Sequence, residues 1–260
     1  MTRRVRVIGV GPGDPEQVTL EAVAAMRSVA YFVVADKGPD DPLLAARQAL
    51  LDRHVGAARV VAVPDPERDR SVAATGDYLG AVTDWHDARA AAYERVLLDH
   101  DGDAGFLVWG DPAFYDSTIR IVEKVLARGN AGFEWDVIPG VSSLQLLAAR
   151  HRIVLHDIGR PVTVTTARRL CEAVAAGADN VLVMLSARLD LDDLRDWDIW
   201  WGANLGTPHE RLVAGRVGDV LAEIHEARAA VKSAAGWLMD VYLLRGARGP
   251  LAADRSVTLT

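Results

Sequence analysis

Apolar residues recur along this chain in short runs, and most of the stretches between them carry helical spacing. Residues 5–10, 31–35, 59–63, 105–109 and 135–138 are runs of Val, Ile and aromatic residues, the pattern of buried strands. Residues 19–27, 84–100 and 117–128 instead place Leu, Val, Ala, Met and Trp at three- and four-residue intervals, which predicts helices. Strands alternating with helices predict a parallel sheet with helical crossovers. The charged stretch 64–70, with Pro64 and Pro66, reads as a loop. Beyond Pro139-Gly140 the pattern changes. Residues 161–166, 181–185, 199–202, 212–217 and 237–244 read as strands and 219–231 as a helix, with connections short enough for a mixed sheet. The expectation is an α/β chain of two α/β domains: 1–138 around a parallel sheet, and 139–260 around a mixed one.

At 260 residues the chain is long enough for two cores. Its net charge of -7 argues against a general nucleic-acid or membrane-surface role. A polyanionic substrate would need a local basic pocket. The single Cys171 excludes an internal disulfide and a multi-cysteine metal site, and fits a reducing cytoplasm. No apolar run approaches the ~18 residues of a membrane span. The start, Met1-Thr2-Arg3-Arg4-Val5, lacks the long apolar stretch of a signal peptide.

The chemistry concentrates where strands end. The run 105–109 stops at Gly110-Asp111-Pro112. Glycine permits a turn closed to other residues, and proline is preset for a first helical turn. In parallel sheets ligands bind at that edge. A phosphate site there would want Gly and Lys; Asp111 points to a ligand that is not a phosphate and carries positive charge. The loop Gly9-Val10-Gly11-Pro12-Gly13-Asp14 has the same character. A dinucleotide-binding G-x-G-x-x-G starting at Gly9 needs glycine at 14, where Asp14 would repel a pyrophosphate. No G-K-[ST] follows, so a P-loop is excluded as well. Two readings of these glycines stay open: a tight turn, or a loop lining a ligand.

Three motifs in order, Val7-Ile8-Gly9-Val10-Gly11-Pro12-Gly13-Asp14-Pro15, Trp109-Gly110-Asp111-Pro112 and Val137-Ile138-Pro139-Gly140-Val141-Ser142-Ser143, resemble those of the tetrapyrrole methyltransferases. Further segments narrow the likeness to the deacetylating branch of that family. They are Asp84-Trp85-His86, Tyr115-Asp116-Ser117-Thr118-Ile119-Arg120, His151-Arg152-Ile153, Thr165-Thr166-Ala167-Arg168-Arg169-Leu170 and Gly236-Trp237-Leu238-Met239-Asp240. The resemblance implies two α/β domains with S-adenosylmethionine (SAM) in a cleft between them, a fold distinct from Rossmann-type methyltransferases. It implies methylation of precorrin-5 at C-1 with loss of an acetyl group as acetate, leaving S-adenosylhomocysteine (SAH). It places cofactor contacts on Pro12, Trp109, Gly110, Asp111, Tyr115, Ser142, Ser143, Met184, Leu185, Leu205, Gly206, Gly236 and Trp237. Many family members are homodimers, so a homodimer is implied by analogy.

Each residue also has a plainer role. Asp111 is either a helix N-cap ahead of Pro112 or a contact to a SAM ammonium or ribose. Tyr115 is either core packing or a ligand contact. One of Ser142 and Ser143 caps the helix that follows, whose free N–H groups suit a carboxylate. Arg120, Lys124, Arg168 and Arg169 are either solvated charges or donors to the acetate and propionate groups of the substrate. Deacetylation needs a base or a positioned water. Its candidates are Asp14 and His86 first, then Asp87, Asp116, His151 and Asp240. The competing functions are a methylase acting at another carbon of the macrocycle, a non-catalytic SAM- or tetrapyrrole-binding protein, and a nicotinamide-dependent oxidoreductase, which Asp14 disfavours.

Overall fold

Among the described residues ten strands form two five-stranded sheets, and the hydrophobic runs of the sequence supply their centres. The computed structural model describes residues 2–36, 42–66 and 78–246, so part of the expected loop 64–70 lies outside the described residues. The chain divides into two compact units, the first running through Ser143 and the second starting at Leu144. The sequence reading puts the change at Pro139.

In the first unit the strands are β1 (Arg4–Gly9), β2 (Tyr31–Asp36), β3 (Val60–Pro64), β4 (Ala104–Val108) and β5 (Glu134–Ile138). Their order is β3-β2-β4-β1-β5 and every pairing is parallel. The central β4 is buried along its whole length, as expected of a strand covered on both faces. Helices α1 (Leu20–Ser28), α2 (Pro42–His54), α3 (Tyr78–Asp99) and α4 (Thr118–Arg128) connect the strands. Thr19 caps α1 by accepting from the Ala22 N–H at 3.0 Å. Gly129, at φ +76, closes α4 in the left-handed conformation. The sequence pattern does not reveal α2: Leu50 and Leu51 are buried, but the Ala, Arg and Gln residues around them draw no single apolar face.

The second unit holds α5, which begins at the unit boundary (Ser143–His151), α6 (Leu170–Ala175), α7 (Val217–Ala235) and five strands. These are β6 (Thr163–Thr166), β7 (Asn180–Met184), β8 (Asp198–Ala203), β9 (Arg211–Arg216) and β10 (Asp240–Arg245). The order is β6-β7-β10-β8-β9, with β6 parallel to β7 and the other neighbours antiparallel, the expected mixed sheet. The expected strand at 237–244 starts at Asp240 instead, because α7 runs to Ala235 and Gly236 (φ +78) ends it. Trp201 and Tyr242 are fully buried beside Val183, Ile199 and Leu244. Each such aliphatic side chain contributes roughly 1.5–3 kcal/mol. Among the described residues no helix is long and apolar enough to cross a membrane.

Strand direction fixes where the loops go. In the first unit the loops after β4, β1 and β5 leave from neighbouring strands at one sheet edge, and their glycines meet there. A Cβ on Gly140 would lie 2.1 Å from the Gly110 carbonyl oxygen, whereas one on Gly110 would meet nothing within 4 Å. Gly140→Ala is therefore expected to cost about 3 kcal/mol or more. Gly110→Ala, strained only by its φ of +71, should cost about 1–2 kcal/mol. Urea unfolding of both variants checks this, and a larger loss for Gly110→Ala would contradict the packing described.

Candidate functional site

The three motif loops of the first unit are stitched together backbone to backbone. The Val10 N–H donates to the Val108 carbonyl at 2.9 Å. Gly11 and Gly110 exchange both hydrogen bonds, at 3.2 and 2.8 Å, in an isolated antiparallel bridge. A Cβ on Gly9 would come within 2.6 Å of the Gly140 nitrogen and 2.9 Å of Pro112 Cδ. Asp111 completes the stitching: its Oδ2 accepts from the Gly140 N–H at 2.9 Å and its Oδ1 from the Ala113 N–H at 2.8 Å. Asp111 is thus not a helix N-cap, since α4 begins only at Thr118. It is a clamp between the loops after β4 and β5. Gly11 and Gly110 both adopt positive φ (+79 and +71), which the turn requires of them, and a Cβ on Gly11 would also come within 2.8 Å of the Gln17 carbonyl oxygen.

Around this stitch lie the other first-unit candidates. Pro12 is buried, Trp109 half-buried and Ser142 buried just ahead of α5. Tyr115 is exposed and held at φ +53, a conformation rare outside glycine, so core packing does not describe it. Asp14 caps the short turn Pro15–Gln17, its Oδ1 accepting from the Glu16 N–H at 2.9 Å.

In the second unit, strand register brings four chain segments to one edge. Thr166 pairs with Met184, Met184 with Val241, and Ala203 with both Asp240 and Arg211. The ends of β6, β7 and β8 therefore gather beside the start of β10. Met184 is the last residue of β7, and Leu185 follows at φ +58 with 58% of its surface exposed. Leu205 is buried. The Gly206 N–H donates to Glu210 Oε2 at 2.7 Å, and Glu210 is paired with Arg150 of α5 at 2.8 Å. Sequence reasoning missed Asn204, which is buried at φ +46 and bonded to the segment containing Trp237. The available signal was its type: asparagine is among the few non-glycine residues that visit this conformation readily.

The remaining candidates separate. Asp14 follows β1. His86 lies on α3 beside Trp85, whose Nε1 donates to the Pro66 carbonyl at 3.1 Å just past β3. Arg89 braces that corner through Asp65 at 2.7 Å and stacks over Trp85 at 4.3 Å. Strands β3 and β1 are three positions apart, about 14 Å at the usual inter-strand spacing. The two lead base candidates are not neighbours. Asp87 pairs with Lys124. The Asp116 Oδ1 accepts from the Thr118 N–H at 2.6 Å at the start of α4. Arg120 is exposed and donates to the Asp116 carbonyl at 3.3 Å. Arg168 and Arg169 lie on the exposed turn Ala167–Arg169 after β6, with Arg169 paired to Glu172 at 2.7 Å.

Two further base candidates are engaged in packing contacts. Asp240 is paired with Arg228, accepts from Trp201 Nε1 at 3.0 Å, and its side chain is 2% exposed. Burial raises its pKa, and the Arg228 charge and the Trp201 hydrogen bond pull the other way. His151 Nε2 donates to the Trp201 carbonyl at 3.0 Å, tying α5 to β8.

The chain matches the Tetrapyrrole (Corrin/Porphyrin) Methylases over residues 4–221. It is 42% identical over 251 residues to a precorrin-6A synthase (deacetylating) of Sinorhizobium sp, covering 94% of this chain and 95% of that one. Among solved structures it resembles one described as a cobalamin synthesis related protein (CobF) from Corynebacterium diphtheriae. The TM-score is 0.81 and the identity 35%, over 94% of this chain and 99% of that one. A uroporphyrin-III C-methyltransferase from Thermus thermophilus, crystallised with S-adenosyl homocysteine, shares the fold at TM-score 0.55 and 20% identity, over 93% of this chain and 92% of that one.

The His151 contact carries a pH dependence. Burial lowers its pKa from the ordinary 6.5, against the raising effects of the Trp201 carbonyl and the Glu210 charge. The folded state then binds the proton more weakly than the unfolded one. The contribution of His151 to stability is intact above the unfolded pKa of about 6.5 and is lost as the pH falls through the lower folded value. An NMR titration of the His151 ring should show a midpoint below 6.5, and a midpoint above it would contradict the ring's burial as the dominant effect.

Proposed function

The chain belongs to the tetrapyrrole (corrin/porphyrin) methylases, and from that premise we propose that it methylates precorrin-5 at C-1 and releases the acetyl group as acetate, giving precorrin-6A. It is a SAM-dependent methyltransferase with the tetrapyrrole methylase fold. The observation that carries the finer reading is the 42% identity to a precorrin-6A synthase (deacetylating) across nearly the full length of both chains.

The residues suit the cofactor. Residues 9–14, 109–117 and 139–143 include Asp14, Asp111 and Asp116 but no Lys or Arg, a lining that favours a sulfonium and an ammonium over a phosphate. At the second sheet's edge the exposed Leu185 and Met239 and the half-buried Trp237 offer apolar surface beside backbone N–H and carbonyl groups. That mixture fits a ligand with a flat apolar ring and polar ends. In this reading Pro12, Trp109, Gly110, Asp111, Tyr115, Ser142 and Ser143 hold SAM from the first unit. Met184, Leu185, Leu205, Gly206, Gly236 and Trp237 hold it from the second. SAM brings a methyl group already activated on its sulfonium, so the protein contributes mainly alignment at that step.

Arg120 and Arg168 are the donors assigned to the substrate carboxylates. Arg169 joins them by exchanging Glu172, because an exposed ion pair of this kind is worth only about 0–1 kcal/mol. For deacetylation the geometry ranks Asp14 ahead of His86, since Asp14 adjoins the stitched loops and His86 lies toward β3. Asp14 would take a proton from the water that attacks the acetyl carbonyl; the carbon–carbon bond to the macrocycle then breaks, acetate leaves, and the electron pair left on the ring takes the methyl group from the sulfonium.

With purified precorrin-5 and methyl-labelled SAM, the protein should incorporate one methyl group and release one acetate per product. Asp14→Asn should slow acetate release by about 100-fold or more. Methylated product without acetate would instead place this chain among the methylases of another macrocycle carbon.

A further inference from the structure

The junction of β8 with the loop that follows contains a substitution of side chain for backbone. Beyond the Ala203–Asp240 pair, the next antiparallel partners are Asn204 and Met239. In a regular ladder, residues at a hydrogen-bonded position exchange two bonds, each N–H donating to the other's carbonyl. Half of that exchange is intact: the Asn204 N–H donates to the Met239 carbonyl at 2.8 Å. The other half is not made by backbone. Asn204 turns to φ +46, and its carbonyl accepts from the Thr207 N–H at 3.1 Å and the Thr207 hydroxyl at 2.8 Å. The Met239 N–H donates to Asn204 Oδ1 instead, at 2.9 Å, and Asn204 Nδ2 reaches the Trp237 carbonyl at 3.3 Å.

The amide of one side chain thus takes the place of the carbonyl that the turn removed. Few residues meet both demands. The left-handed backbone is strained for most L-residues, and the acceptor must stand two bonds beyond Cβ's own position on the chain. The result lets β8 break sharply into 204–206 without releasing the segment 236–239. These are two of the three segments to which the proposed function assigns second-unit cofactor contacts.

We propose that Asn204 is a positioning residue for SAM: it sets the relative placement of the 204–206 and 236–239 segments without itself needing to touch the cofactor. The inference rests on the SAM reading of those segments. It predicts graded effects from three variants. Asn204→Gly adopts the backbone freely but leaves the Met239 N–H without its acceptor. Asn204→Ala loses the acceptor and strains the turn. Asn204→Asp keeps the acceptor and the turn but loses the donor to Trp237.

The experiment is calorimetric titration with SAH, run well below each variant's melting temperature, together with melting curves. SAH should bind about tenfold more weakly to Asn204→Gly and weaker still to Asn204→Ala, with Asn204→Asp restoring most of the affinity. If Asn204→Ala does not fold, the Gly and Asp variants carry the comparison, since neither strains the turn. Wild-type SAH affinity in Asn204→Gly, even with a lowered melting temperature, would overturn the inference while leaving the SAM reading standing. Absence of SAH binding to the wild-type protein would overturn both.

Discussion

The close approach of three loops at Gly9, Gly110 and Gly140 is the constraint on which the first unit's candidate site depends. No side chain larger than hydrogen fits at positions 9 and 140 without displacing backbone or Pro112. The parallel order β4-β1-β5 brings the loops into line, the Gly11–Gly110 bridge joins two of them, and Asp111 ties in the third. The loops joined in this way carry Asp14, Asp111 and Asp116 and no Lys or Arg. In the proposed reading, fold and ligand preference come from one arrangement that suits a cation-bearing cofactor.

The second unit reaches a preset edge by different means. Among its described residues the mixed sheet has no glycine stitch; side chains hold the loops. Asn204 completes the ladder with β10, Glu210 takes the Gly206 N–H, and Arg228 binds the Ser186 carbonyl at 3.0 Å next to the left-handed Leu185 while pairing with the buried Asp240. Left-handed backbone at Tyr115, Leu185 and Asn204 falls in the loops assigned to the cofactor. Backbone held in a sparsely populated conformation persists where its surroundings over-determine it, as they do at Leu185 and Asn204.

The strands and the change from a parallel to a mixed sheet were legible in the sequence because apolar runs bounded by Gly and Pro report burial directly. Helix α2 was not, because its burial rests on Leu50 and Leu51 without a continuous face. The glycine loops were legible as sites of close approach, but not what they approach: that Gly9 meets Gly140 follows from strand order, which periodicity does not encode. Of the two readings of Asp111, helix cap or ligand contact, the cap fails: Asp-Pro is a common helix start, yet six more residues precede α4, and the carboxylate reaches across to another loop. Asp240 and His151 read as candidate bases because type alone shows chemistry and not surroundings. In the structure one is buried under Arg228 and the other is committed to the Trp201 carbonyl. Asn204 escaped notice because its role exists only across the β8–β10 pairing.

In the proposed reading, SAM contacts strand-end loops that are already set before it binds. Hydrogen–deuterium exchange with and without SAH tests it most directly. Added protection confined to residues 10–14, 109–116, 139–143, 184–186, 204–206 and 236–239 is the predicted result. Protection centred elsewhere, such as the opposite sheet edge around Arg3, Asp101 and Asn130, would contradict it.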